Sequence, residues 1–157
     1  MVTETNPGWK EEDFTKYMKA VFHAFGEDRI MFGSDWPVCL LNGDYKKVYD
    51  IAYNFTTKWS KSATDKVFSK NALKFYRDRT PTKLHPKPLQ IVDSHQHFWN
   101  YSKEEYGWIN PETMGNIAHS FLPKDLFNAI STTKITHSIA VQARETLEET
   151  QMLLDFA

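Results

Sequence analysis

His95 and His97 stand two residues apart in the run Ile91-Val92-Asp93-Ser94-His95-Gln96-His97-Phe98-Trp99. Side chains alternate along an extended chain, so both imidazoles leave on one side and can converge on a single ion. The pair is weak evidence taken alone, because imidazole is the commonest metal ligand and also a frequent surface group. Its setting is more informative. The apolar start of the run marks a short buried strand, and parallel α/β folds keep their chemistry at the ends of such strands. A second candidate, Asp35, closes the apolar run Arg29-Ile30-Met31-Phe32-Gly33-Ser34-Asp35, which has the length of a parallel strand covered on both faces. Gly33 forgoes side-chain packing, as a close approach of backbone or ligand would require. Pro37 pushes Trp36 toward extended geometry and leaves Asp35 at the strand tip. A carboxylate in that position is suited to catalysis, but equally to capping a helix or forming a turn. A third strand is expected over residues 137–143. Gln142 falls at its C-terminal end, where a polar side chain can face a ligand.

These residues need elements to hold them. The 157 residues are 41% apolar and 15% aromatic, enough for one sizeable core. Nineteen basic against 20 acidic side chains give no surplus that would point to nucleic acid or to a cationic partner. Cys39 is the single cysteine, which excludes an intramolecular disulfide and reads as a small loop or core residue. No apolar run approaches the roughly 18 residues of a membrane span, and the N-terminus carries no apolar signal core. A cytoplasmic protein without membrane contact is expected.

Asn6-Pro7-Gly8 signals a turn leading into a helix on which Phe14, Tyr17, Met18, Val21, Phe22 and Phe25 share one face, ended by Gly26. Val48, Ile51, Ala52, Phe55 and Trp59 mark a second helix. A third begins at a capping box of Ser62 and Asp65 and carries Ala63, Val67, Phe68, Ala72, Phe75 and Tyr76 inward. Residues 80–88 lie in the proline-rich stretch before the second strand and form the one convincing linker. Residues 101–123 are aromatic and rich in turn formers, and loops of that length tend to be lids or binding surfaces. Pro123 opens a short helix. Thr146 and Glu149 form a capping box for a last helix that reaches the end of the chain. His23, His119 and His137 read as solvated or structural histidines. Strands alternating with helices call for a parallel sheet with crossover helices.

Two motifs add a resemblance. The run 91–99 followed by Tyr106-Gly107-Trp108 is similar to the beginning of amidohydrolase-related (β/α)8-barrel hydrolases, especially the sugar-lactone lactonase branch. The run Phe25-Gly26-Glu27-Asp28-Arg29-Ile30-Met31-Phe32-Gly33-Ser34-Asp35-Trp36-Pro37 resembles a segment near their C-termini. The order is reversed relative to such a barrel. Residues 1–79 resemble its C-terminal segment and residues 89–157 its N-terminal segment. This implies a tandem junction or a permuted chain with both outer parts missing. The fold implied is α/β, a partial (β/α)8 TIM barrel with about three parallel strands equivalent to strands 8, 1 and 2. Strand 8 adjoins strand 1 in a closed barrel, so Asp35 would meet His95 and His97 at one rim.

The resemblance implies metal-assisted hydrolysis of a sugar lactone. His95, His97 and Asp35 would hold a divalent ion, zinc by that resemblance, although some relatives work without a metal. Asp35 would coordinate the ion or take the proton of the attacking water, and Trp36, Trp99 and Gln142 would line the substrate site. The family's histidines on strands five and six have no counterpart here. A complete barrel takes about 250 residues, so the chain is expected to be inactive alone and prone to self-association through open sheet edges. Two other readings stay open. One is the decarboxylase branch of the same superfamily, and the other a noncatalytic binding remnant.

Overall fold

A computed structural model describes residues 3, 8–76 and 90–157 of the chain. The linker expected over 80–88 and the Asn6-Pro7 turn lie outside the described residues.

Helix α1, Glu11–Phe25, forms where sequence periodicity places it. Phe14, Met18 and Phe22, four residues apart, are its buried edge, while Tyr17, Val21 and Phe25 flank them and stay exposed. The helix stops at Gly26, whose φ of 70° is open to glycine and whose N–H donates to the Phe22 carbonyl. Helix α2, Tyr45–Trp59, starts on Asp44, whose carboxylate accepts the Lys47 N–H at 2.7 Å. Tyr49, Ile51 and Tyr45 face inward.

The third helical stretch begins differently from the expected capping box. The Ser62 hydroxyl is committed to Glu27 at 2.6 Å, and the Ala63 N–H turns instead to the Ser60 hydroxyl. The stretch comprises a single turn, α3 (Ala63–Asp65), a π turn at Lys66–Lys70, and α4 (Asn71–Tyr76). Val67 and Phe68 point inward as expected, but Phe75 and Tyr76 are exposed. Asn71 donates its side-chain amide to both the Glu27 and the Ile30 carbonyls, which fixes the entry into residues 29–35.

Glu27 is the hub of this corner. It accepts from the Ser60 and Ser62 hydroxyls and pairs with the Lys66 ammonium at 2.9 Å. The two hydroxyls, followed by Lys66, hold its carboxyl down from 4.5 to about 2. A depressed folded value means that its stabilisation is complete above pH 4.5 and disappears as pH falls toward 2. Thermal melts should therefore separate wild type from Glu27→Gln above pH 4.5, with the gap closing through that window. A gap constant with pH would refute the assignment.

The described residues contain a two-stranded parallel sheet, β1 (Val92–Gln96) beside β2 (His137–Ala140), where three strands were expected. Val92 pairs with His137 and Asp93 with Ser138, and the register slips before Gln96 meets Ala140. Residues 29–35 do not form a regular strand, although they run along the other edge of β1. The Ser94 N–H donates to the Phe32 carbonyl, the Asp35 N–H to the His95 carbonyl, and the His97 N–H to the Trp36 carbonyl. Two features interrupt that ladder. The Phe32 N–H is drawn to the Val67 carbonyl of the π turn, and Asp35 takes a φ of 57°.

Helix α5 (Pro123–Ile130) links the strands, and α6 (Leu147–Asp155) follows β2. At α6 only half of the expected capping box forms. The Thr146 hydroxyl accepts the Glu149 N–H, but the buried Glu149 carboxylate accepts from the Ala143 and Arg144 backbones, the Arg144 guanidinium and the Tyr106 hydroxyl.

The segment 101–123 is packed structure and not a loose lid. Trp99 and Phe121 exchange backbone hydrogen bonds at 2.9 and 3.0 Å, and Tyr106, Ile109 and Ile117 are buried beneath. One core joins both halves of the chain: Phe32, Tyr49 and Phe68 from the first half are continuous with Trp99, Tyr106 and Phe121 from the second. Phe32 stacks on Phe68 at 4.7 Å, and Trp36 meets Phe121 edge-on at 5.1 Å. Among the described residues, no helix is long and apolar enough to cross a membrane.

Candidate metal centre

β1 carries His95, His97 follows just past its end at the alternate position, and residues 29–35 carry Asp35 alongside. The three side chains meet although 60 residues of sequence separate Asp35 from His95. Asp35 Oδ1 lies 3.3 Å from His97 Nε2 and 3.7 Å from His95 Nε2, and one ligand atom from each residue falls within 4.8 Å of the others. The imidazole rings stand nearly perpendicular, with centroids 4.9 Å apart.

Close backbone contact makes this meeting possible. A Cβ at Gly33 would come 2.7 Å from the His95 Cβ, so the absent side chain lets the two segments touch. The approaching group is the protein itself. At Asp35 the left-handed backbone, a conformation aspartate tolerates better than most residues, turns the carboxylate toward the two rings.

His97 is the most constrained of the three, with a side chain 12% exposed against 49% for His95 and 45% for Asp35. Its Nδ1 lies 2.9 Å from the Val141 carbonyl. A carbonyl can only accept, so Nδ1 carries the proton and a neutral ring has its Nε2 lone pair facing Asp35. A lone pair and a carboxylate oxygen 3.3 Å apart repel each other unless a proton or a cation lies between them. Ligands around a tetrahedral zinc with bonds of about 2.0–2.1 Å lie roughly 3.4 Å apart. The two Asp35 distances are near that value, and the exposed His95 ring is free to adjust. Two imidazoles and one carboxylate, open on one side, fit a zinc-type donor set with a vacant position for water or substrate.

The other sequence candidates lie elsewhere. Trp36 is buried against Phe98 and Phe121, and Trp99 is fully buried with its indole N–H donating to the His119 carbonyl at 2.8 Å. Gln142 is exposed, and its amide donates to the Thr146 carbonyl and the Thr150 hydroxyl, which binds it to the start of α6. The structure thus brings together Asp35, His95 and His97 and gives the other three contacts within the fold. His23, His119 and His137 remain outside the cluster. The buried Cys39 thiol is pushed up to about 12 by burial and by Asp35, so it stays protonated and chemically quiet. An apolar cleft of about 200 Å³, walled by α1, α2 and residues 30–35, opens with Asp35 at its lining.

Asp93 is the residue that sequence reasoning passed over. It is wholly buried and accepts hydrogen bonds from the Ser34 N–H (2.9 Å), the His95 N–H (3.2 Å) and the Tyr45 hydroxyl (2.8 Å). Burial raises its carboxyl pKa, and these three donors offset part of that rise. The signal was available: an acidic residue inside an apolar run, in the same alternation as His95 and His97.

A parallel sheet among helices, with a His-His-Asp cluster at the end of β1, is a donor set able to hold a metal ion in an α/β fold. The amidohydrolase family model matches residues 1–77, so that segment is similar to the amidohydrolase family. An L-fucono-1,5-lactonase of Burkholderia multivorans is 44% identical over 66 residues, 42% of this chain and 22% of the relative. A second L-fucono-1,5-lactonase, from Burkholderia ambifaria, is 35% identical over the same length. An uncharacterized protein of Sinorhizobium fredii is 35% identical over 72 residues, 46% of this chain and 24% of the relative. A crystal structure of a Burkholderia multivorans amidohydrolase with bound zinc is 44% identical over 42% of this chain and 23% of that one, with a TM-score of 0.40. The chain spans less than a quarter of the length of these relatives.

Proposed function

We propose that Asp35, His95 and His97 hold a divalent cation, zinc in particular, in a centre that hydrolyses a sugar lactone. The observation that carries the metal reading is His97 Nε2 facing Asp35 Oδ1 while Nδ1 is occupied by the Val141 carbonyl. A cation held by these residues would lower the pKa of an attacking water and polarise a lactone carbonyl. Asp35 accepts the proton of the attacking water, and its partial exposure leaves the carboxylate within reach of solvent and substrate. His97 is kept from rotating by Val141, and His95 closes the donor set.

Sugar lactones are the substrate class supported by the two relatives named L-fucono-1,5-lactonase. Residues 1–79 and 89–157 serve, in this reading, as the last and first sectors of a (β/α)8 barrel. The alignment of residues 32–36 against β1, and of β1 against β2, supports the order 8-1-2. Trp36 and Trp99 support the rim from within. The remaining sectors supply most of the substrate pocket, so the 157-residue chain binds metal but does not turn over lactone by itself. Exposed apolar residues such as Tyr17, Phe25, Phe127 and Leu147 favour self-association of the isolated chain.

The test has two arms. Titration of the chain with Co2+, followed by visible absorption, should give one site per chain. A chimera in which residues 11–76 replace the matching segment of the Burkholderia multivorans lactonase should hydrolyse L-fucono-1,5-lactone, and Asp35→Asn in it should abolish turnover. A folded chimera that is inactive, or one indifferent to Asp35→Asn, would overturn the hydrolytic assignment.

A further inference from the structure

We propose that Asp93 is the positioning residue of the metal centre, a buried clamp whose single carboxylate fixes Asp35 and His95 at ligand spacing. The inference rests on the metal reading of Asp35, His95 and His97. Oδ1 of Asp93 accepts two backbone N–H groups at once, that of Ser34, next to Asp35, and that of His95 itself. The residues so joined lie 59 positions apart in one case and two in the other.

The clamp is needed because the sheet is irregular at this point. The β1–β2 register slips between Asp93 and Gln96, so the two strands lose their regular pairing where the His95 N–H would find a carbonyl. On the other edge, the Phe32 and His95 carbonyls accept from β1 and Asp35, with the Ser34 N–H between them. Buried backbone N–H groups require acceptors, and here both find the same carboxylate oxygen. The other oxygen accepts from the Tyr45 hydroxyl at 2.8 Å, which ties the clamp to α2. Asp93 therefore joins the two ligand-bearing segments and the helix behind them while lying outside the ligand cluster itself. Outer groups that orient metal ligands in this way typically change affinity by about 10–100-fold when removed.

Asp93→Ala should weaken Co2+ binding by about 10–100-fold and alter the visible absorption of the bound ion. Asp93→Asn keeps an oxygen acceptor for both N–H groups and should restore most of the affinity. Tyr45→Phe removes a partner only from the helix side, so it should lower stability while leaving Co2+ affinity and spectrum close to wild type. A merely structural Asp93 would show the reverse, with affinity falling in step with stability in all three variants. Amide exchange of the metal-free wild type gives a second reading that needs no variant to fold. The Ser34 and His95 amides should be protected although the His95 side chain is exposed.

Free exchange of those amides in the folded chain, or a folded Asp93→Ala chain binding Co2+ as tightly as wild type, overturns the clamp. A wild-type chain that protects both amides and binds no Co2+ overturns the metal reading instead, and with it the positioning role.

Discussion

Replacing His97 with alanine is expected to weaken Zn2+ or Co2+ binding at least a hundredfold, the largest loss of any single substitution at the centre. Structural zinc sites with four ligands bind with about 10–16 kcal/mol, or roughly 3 kcal/mol per ligand, and His97 is the best-held ligand of the three. Its ring is nearly buried, its Nδ1 is committed to Val141, and its Nε2 lies closest to Asp35. His95→Ala should also lower affinity, by less, because an exposed ring pays more entropy to be fixed and water can replace it. His119→Ala should change nothing, since that ring lies outside the cluster and hydrogen-bonds to the Ser120 carbonyl. Calorimetric titration of the three variants, each checked by thermal melting, measures the order. An unchanged affinity in a folded His97→Ala chain would remove the site altogether. Wild-type affinity should also fall with acid, because metal and protons compete for the same nitrogens.

How far the site was legible in the sequence depends on what each residue does. The alternation of His95 and His97 is a local property of an extended chain, and it survives folding because β1 and the residue after it stay extended, the His97 N–H donating to the Trp36 carbonyl. The closeness of Asp35 is not local. It was reached through the resemblance and is realised by Gly33, whose missing side chain lets the segments touch. Asp93 was passed over because a carboxylate in an apolar run has no sequence partner, its donors being two backbone groups and a tyrosine on another helix.

Elements failed where side chains had competing partners. Ser62 fits a capping box by spacing, yet Glu27, 35 residues earlier, takes its hydroxyl. Glu149 fits one as well, but its carboxylate turns inward, where a half-buried guanidinium and a buried phenol need an acceptor. Residues 29–35 fail as a regular strand because the π turn offers Val67 as an acceptor to Phe32, an option no periodicity reveals. The length of segment 101–123 suggests a lid or a binding surface, whereas its buried aromatic residues make it a wall of the core.

Trp99→Ala is expected to cost about 3–5 kcal/mol of folding stability, the usual range for deleting a large buried aromatic. Whole-domain stabilities are only about 5–15 kcal/mol, so the variant should melt at much lower urea or lose its cooperative transition. The indole is fully buried, meets Tyr106, Trp108 and Phe121 within 6 Å between centroids, and holds the His119 carbonyl. Its backbone is locked to Phe121, so the cavity cannot close by moving the chain. Trp99→Phe keeps the ring packing and frees a carbonyl on an exposed residue that water can reach, so it should cost about 1 kcal/mol or less beyond the lost volume. Trp108→Ala, at a half-exposed ring, should cost much less than Trp99→Ala. The same substitutions decide between two roles for Trp99. A wall of the substrate site would leave stability unchanged when replaced. A core residue lowers stability first, leaving Co2+ affinity intact at temperatures where the variant is still folded.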